Sequence, residues 1–197
     1  MNFLGHAYIA RNYPELIAGN FAGDAYKGNL DNFSHLPLNI QKGIKLHRFI
    51  DDYTDQSPHI LAAGHLLHKA GISRIAYIAT DIILDHYLAK NWSQYADIKY
   101  ADFISLIYRQ TDHAIEQLAP EFKHMYVKLK LHGWLFDYPS EKGIQKILTQ
   151  FSSRIHFKND LGNCFQIYLK NRATFDLHFS AFLVDINKSS VEFIEQL

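Results

Sequence analysis

Apolar positions recur every three to four residues along most of this chain, the spacing of helices that bury one face. No stretch shows the sustained alternation of a half-buried strand. The pattern predicts helices over residues 2–12 and 14–26, divided by Pro14, a residue suited to a first helical position. After the loop "KGNLDNFSH", residues 37–54 form a helix opened by Pro37. Residues 58–70 form the next, with Ser57 as N-cap, Pro58 in the first turn and Gly71 just past the end. Residues 73–93 are long and periodic, with Ser73 near the start. The second half is less sharply marked. Helices are expected over 100–119, 121–132, 140–153 and 160–195, the last broken at some point along its length. No linker, repeat or low-complexity tract divides the chain. The expectation is one all-α domain over residues 1–197, a helical bundle.

Three of these apolar stripes run into ionisable residues. Each residue advances about 100° around a helix, so Ile40, Ile44, His47 and Asp51 share a sector of roughly 60°. An apolar stripe marks the buried face, so His47 and Asp51 should point inward, one turn apart. Ile17, Phe21 and Asp24 share another stripe. Ile75, Ala79, Ile82 and His86 share a third, with Asp85 on its flank. His6 lies in the apolar first helix, between Phe3 and Ala10. Burying an unpaired carboxylate costs several kcal/mol at least, so these groups need partners. A single His–Asp pair at this spacing is more often a structural contact than a site; recurrence on several helices shifts the balance. Histidine and aspartate without cysteine form a ligand set for Mn²⁺, Fe²⁺ or Zn²⁺, not for a thiolate zinc site.

Composition adds bounds. Hydrophobic residues make up 48% and charged residues 20%, within the range of globular domains, and the formal net charge is zero. The totals therefore carry no overall signal for nucleic acid or membrane. Cys164 is the only cysteine and has no partner within the chain, as in a reducing compartment. The start "MNFLGHAYIARN" lacks a basic leader, and the most apolar segment is interrupted by Arg74, Asp81 and Asp85. A cytoplasmic setting is expected. Of the twelve histidines, nine (His35, His59, His65, His68, His113, His124, His132, His156 and His178) fall in no such pattern, and surface or packing roles are the default for them.

The blocks "MNFLGH", "GNFAGDAYKGN", "HRFIDDYTD" and "DIILDHYLAKNW", in that order over the first half of the chain, resemble the bacterial acyl carrier protein phosphodiesterases. That family is similar to the HD-type metal-dependent phosphohydrolases, as an unusual member. Here the adjacent pair is reversed, Asp85 then His86, while His47 and Asp51 stand four apart. The resemblance implies an all-helical, HD-like fold and a Mn²⁺-dependent hydrolase. The reaction it implies removes the 4′-phosphopantetheine arm from holo-acyl carrier protein.

On that reading His6, Asp24, His47, Asp51, Asp85 and His86 form the pool of metal-site residues, not all of them direct ligands. Asp24 is the leading catalytic candidate, with Asp85 beside it. Arg48, next to His47, would clamp a phosphate with its planar fork, or stand as an ordinary surface arginine. Asn20 would bond a ligand or cap locally, and the glycines of "GNFAG" would allow close helix packing, since they lack the ending of a phosphate loop. Residues 121–160 carry seven basic against four acidic side chains. Lys123, Lys128 and Lys130 are the candidate docking residues for an acidic carrier protein. Rival readings are a nucleotide or alarmone phosphohydrolase using the same centre, and a non-catalytic helical interaction protein. The paired Glu-x-x-His motifs of a di-iron carboxylate bundle are not present.

Overall fold

Proline and cap signals mark the starts of several helices, though the helix expected from residue 73 begins at Ala76 and Ser57 precedes its helix without a side-chain cap bond. The computed structural model describes residues 1–197 and contains eleven α-helices and no strand. Helix α1 (Phe3–Ile9) starts at Asn2, whose side chain accepts the Phe3 amide. Pro14 opens α2 (Pro14–Phe21) and Pro58 opens α4 (Pro58–Lys69), with α3 (Leu38–Gln56) between them. Then come α5 (Ala76–Lys90), α6 (Tyr100–Ala114) and α7 (Pro120–His132). Gly133, in the left-handed region at φ 66°, closes α7 and turns the chain into α8 (Trp134–Asp137). Ser140 caps α9 (Glu141–Ser152) through the Gly143 amide, and α10 (Cys164–Lys170) and α11 (Arg172–Ile194) complete the chain. The all-α expectation holds.

One expected helix ends early, and another breaks as expected. That over 14–26 stops at Phe21 and gives way to a single 3₁₀ turn at Gly23–Ala25. That over 160–195 is interrupted at Asn171, where α10 ends and α11 begins.

The contact that positions the site is between α2 and α3, and glycine permits it. A Cβ on Gly43 would fall 2.6 Å from the Leu16 carbonyl and 2.7 Å from the Gly19 Cα. A Cβ on Gly19 would meet the Ile40 backbone, and one on Gly23 would enter the His47 ring. The two backbones therefore touch, as the "GNFAG" pattern suggested. Gly43→Ala should force them apart and cost about 1–3 kcal/mol, read as a lower melting temperature. An unchanged melting temperature would contradict so close an approach.

Fifty-three buried apolar residues, from Met1 to Ile186, form one contiguous cluster. Helix α5 runs through it, with Ala79, Thr80 and every residue from Ile82 to Ala89 buried. No helix is long and apolar enough to cross a membrane.

Candidate metal centre

Two helices and one turn bring four of the expected residues together. His6 comes from α1, His47 and Asp51 from one face of α3, and Asp24 from the turn after α2. His6 Nε2 lies 3.2 Å from Asp51 Oδ1, and His47 Nε2 lies 3.1 Å from Asp51 Oδ2. One carboxylate thus faces both imidazoles, whose rings stack with centroids 4.1 Å apart. Asp24 Oδ1 is 3.9 Å from His47 Nε2 and 3.1 Å from Lys27 Nζ. The imidazoles are 5% exposed, Asp51 43% and Asp24 77%, so the cluster has a buried floor and an open rim.

Asn20 fixes both tautomers. Its backbone carbonyl is 2.8 Å from His47 Nδ1, and a carbonyl only accepts, so Nδ1 donates. Its side-chain Nδ2 donates to the His6 carbonyl at 2.7 Å, which leaves Oδ1 to accept from His6 Nδ1 at 3.3 Å. Each neutral ring therefore presents an Nε2 lone pair to the Asp51 carboxylate. Lone pairs and anionic oxygens at that range repel unless a cation sits among them. His47 Nε2 is buried and makes no aligned hydrogen bond despite the nearby oxygen. Donor atoms of His6, His47 and Asp51 all lie within 4.8 Å of one another. These three are the residues that could hold a divalent ion, with Asn20 orienting the imidazoles from behind. Sequence reasoning had Asn20 as a ligand contact or local cap. The only hint in the sequence was an amide side chain in an otherwise apolar run; in the structure it is fully buried.

Without a metal the cation is a proton. Burial alone would depress His47, but Asp24 and Asp51 outweigh it and raise the ring to about 9. Burial and the neighbouring His47 push His6 down to about 4. Burial would raise Asp51, yet His47 and His6 hold it below the usual carboxylate range. His47, then Lys27, lower Asp24 despite its partial burial. The folded His47 pKa exceeds its ordinary value of 6.5. Its charge thus stabilises the fold fully below that value, and the stabilisation is lost as the pH rises through about 9. In chelator, the melting temperature should fall between about pH 7 and pH 9.5; a flat profile would contradict the proton bridge.

The structure separates Asp85 and His86 from this cluster. The Asp85 carboxylate accepts the amides of Asn2 (3.3 Å), Leu4 (2.8 Å) and Gly5 (3.1 Å). It caps the helix that carries His6 and has no side-chain contact with the imidazoles. His86 turns the other way: Nδ1 donates to the Tyr138 carbonyl at 2.6 Å, and the ring packs edge-on to Phe165 and Tyr168. The adjacent Asp–His pair does not converge on the centre because neighbours on a helix diverge by about 100°. Arg48 reaches the backbone just past the Asp24 turn. Its Nη2 donates to the Tyr26 carbonyl at 2.8 Å and so braces the turn that carries Asp24.

The sequence profile described as "Acyl carrier protein phosphodiesterase" matches residues 1–186. The chain belongs to the acyl carrier protein phosphodiesterase family. Among its relatives are proteins named acyl carrier protein phosphodiesterase from Shigella boydii serotype 18 (strain CDC 3083-94 / BS512) and Escherichia coli (strain K12 / DH10B). Each is 30% identical over 155 residues, which cover 78% of this chain and 79% of the relative. No solved structure matches the chain. The matched span of this phosphodiesterase-family chain includes His6, Asp24, His47 and Asp51 as well as Asp85 and Arg48.

Proposed function

We propose that this chain hydrolyses the phosphodiester joining 4′-phosphopantetheine to a serine of holo-acyl carrier protein, with a divalent cation held by His6, His47 and Asp51. The observation that carries this reading is the pair of inward Nε2 atoms, 3.1 and 3.2 Å from one half-exposed carboxylate. The family name supplies the substrate class. Mn²⁺ is the favoured ion, with Fe²⁺ or Zn²⁺ acceptable to the same donors. When bound, such an ion lowers the pKa of a water and draws charge from a phosphoryl oxygen.

The protein's own groups do the rest. Asp24 stands on the open rim, ionised, where an attacking water would arrive, and it can take that water's proton. The water oxygen bonds to phosphorus, the bond from phosphorus to the serine oxygen breaks, and the serine oxygen takes up the proton that Asp24 accepted from the water. Lys27, 78% exposed beside Asp24, adds positive charge at the rim for an anionic phosphate. Arg48 holds the Asp24 turn in place through Tyr26.

The docking candidates differ among themselves. Lys123 pairs with Glu116 at 3.0 Å and Lys130 with Asp112 at 2.9 Å, while Lys128 is exposed and in no ion pair. Lys128 projects from α7 on the same helix as exposed Val127 and Leu131, which are 64% and 78% accessible. Lys128 is therefore the main electrostatic contact expected for an acidic carrier protein. Raising salt from about 50 to 300 mM should raise KM for the protein substrate several-fold, because exposed charges are screened over a Debye length near 8–10 Å. A salt-independent KM would remove α7 from the docking surface.

The direct test is to incubate the protein with Mn²⁺ and holo-acyl carrier protein and weigh the product. Conversion to the apo form, lost in Asp24→Ala, is the expected result. An unchanged carrier protein alongside turnover of a nucleotide panel would replace this reading with the nucleotide phosphohydrolase.

A further inference from the structure

A second pair of imidazoles meets outside the His6–His47–Asp51 cluster. His59 lies in the first turn of α4 and His178 on α11, 119 positions later, with their Nδ1 atoms 3.3 Å apart. The rings are tilted by 45°, with centroids 5.6 Å apart. On the far edge of the His59 ring, Asp185 Oδ2 is 3.8 Å from Nε2. Asp185 also borders a cavity of about 370 Å³ lined by Asp52, Gln56 and Ser57, and the His59 side chain is itself 33% exposed.

We infer that His59 and His178 form a second metal site, taking Zn²⁺, Ni²⁺ or Cu²⁺ through their two Nδ1 atoms, with water completing the coordination. The spacing is the first argument. Imidazole nitrogens bind zinc at about 2.0–2.1 Å, which puts two of them on a tetrahedral ion roughly 3.3 Å apart. The observed separation is therefore that of two ligands sharing one ion, with little adjustment needed. The tautomers are the second argument. Asp185 beside Nε2 favours the proton there, which leaves the His59 Nδ1 lone pair facing His178, an arrangement common behind metal-bound histidines. Two such nitrogens need a proton or a metal ion between them. Donor type is the third argument. With imidazoles and no direct carboxylate ligand, the site suits borderline and softer ions over Mn²⁺ or Mg²⁺. It shares no residue with the first cluster, and an ion there ties α4 to α11.

The test counts metal in the full chain after removal of bound ions and dialysis against Zn²⁺. Wild-type protein should hold two equivalents, His178→Asn and His59→Asn one each, His47→Asn one, and the His47→Asn/His178→Asn double variant none. Metal-free melting temperatures should match for wild type, His59→Asn and His178→Asn, which checks their folding. Cu²⁺ added to His47→Asn should give an electron paramagnetic resonance spectrum split by two imidazole nitrogens. Equal zinc in wild type and His178→Asn, or a copper spectrum without that splitting, would overturn the site and leave a shared proton between the rings. Loss of one equivalent in His178→Asn but not in His47→Asn would uphold this site while removing the metal from the first. The two readings thus fail separately.

Discussion

Asp51→Asn should lower turnover by about 10²–10³-fold or more, the scale expected when a direct ligand is lost rather than a supporting hydrogen bond. The substitution keeps the shape of the side chain and removes its charge. Both Nε2 atoms then face a neutral amide where they had shared a carboxylate at 3.1 and 3.2 Å. Retained divalent metal should drop from about one equivalent toward none at the first site. A second readout separates this from simple unfolding. His47 owes its raised pKa to Asp24 and Asp51, against the pull of burial. Without Asp51, and with Asp24 3.9 Å away and largely exposed, that elevation should shrink. The fall in metal-free melting temperature toward alkaline pH should then flatten. Full activity in Asp51→Asn, or an unaltered pH profile, would place the working centre elsewhere.

The part of the site visible in the sequence was the part that local helix geometry dictates. His47 and Asp51 lie on one face because they are four residues apart in a helix with a clear apolar stripe. His6 was legible for a related reason, as an ionisable residue inside a short apolar run. Asp24 was expected on the inward stripe of the same helix as Ile17 and Phe21, but it reaches the cluster from a turn beyond α2 and is largely exposed. Helix α5 defeated the same reasoning. Almost every position from Ala79 to Ala89 is buried, so α5 has no outward face against which an inward one can be read. Asp85 and His86 are both in the core, but they serve different neighbours, the start of α1 and the Tyr138 carbonyl. Periodicity reports burial and is silent about which neighbour a buried group meets. The position of the break at Asn171 and the short α8 were hidden for a similar reason, since long-range packing sets them more than any local stop signal. The His59–His178 contact joins residues 119 apart and has no local signature at all.

Asp85→Ala is the variant that tells a supporting residue from a ligand. The carboxylate is fully buried and receives three backbone amides from residues 2, 4 and 5. Burial pushes the Asp85 pKa up to about 7, against the pull of the N-terminal ammonium and these amides. Each bond therefore contributes about 0.5–1.5 kcal/mol with the neutral acid and about 1.5–3 kcal/mol with the carboxylate, though not additively. Alanine leaves three amides without that acceptor. The expected loss is about 3–5 kcal/mol, read as a large fall in melting temperature or in the urea midpoint. Activity should fall through His6, which follows Gly5 directly: as α1 loosens, the metal concentration needed for half-maximal rate should rise. High metal and low temperature should restore much of kcat. A direct ligand would behave in the opposite way, with metal-free stability nearly unchanged and kcat lost at any metal concentration. Asp85→Asn sharpens the contrast. Its amide keeps one acceptor oxygen but turns a donor toward backbone donors, so it should destabilise almost as much as alanine. If Asp85→Asn instead melts like wild type yet binds no metal at the first site, Asp85 is a ligand, and the cap on α1 is incidental to its role.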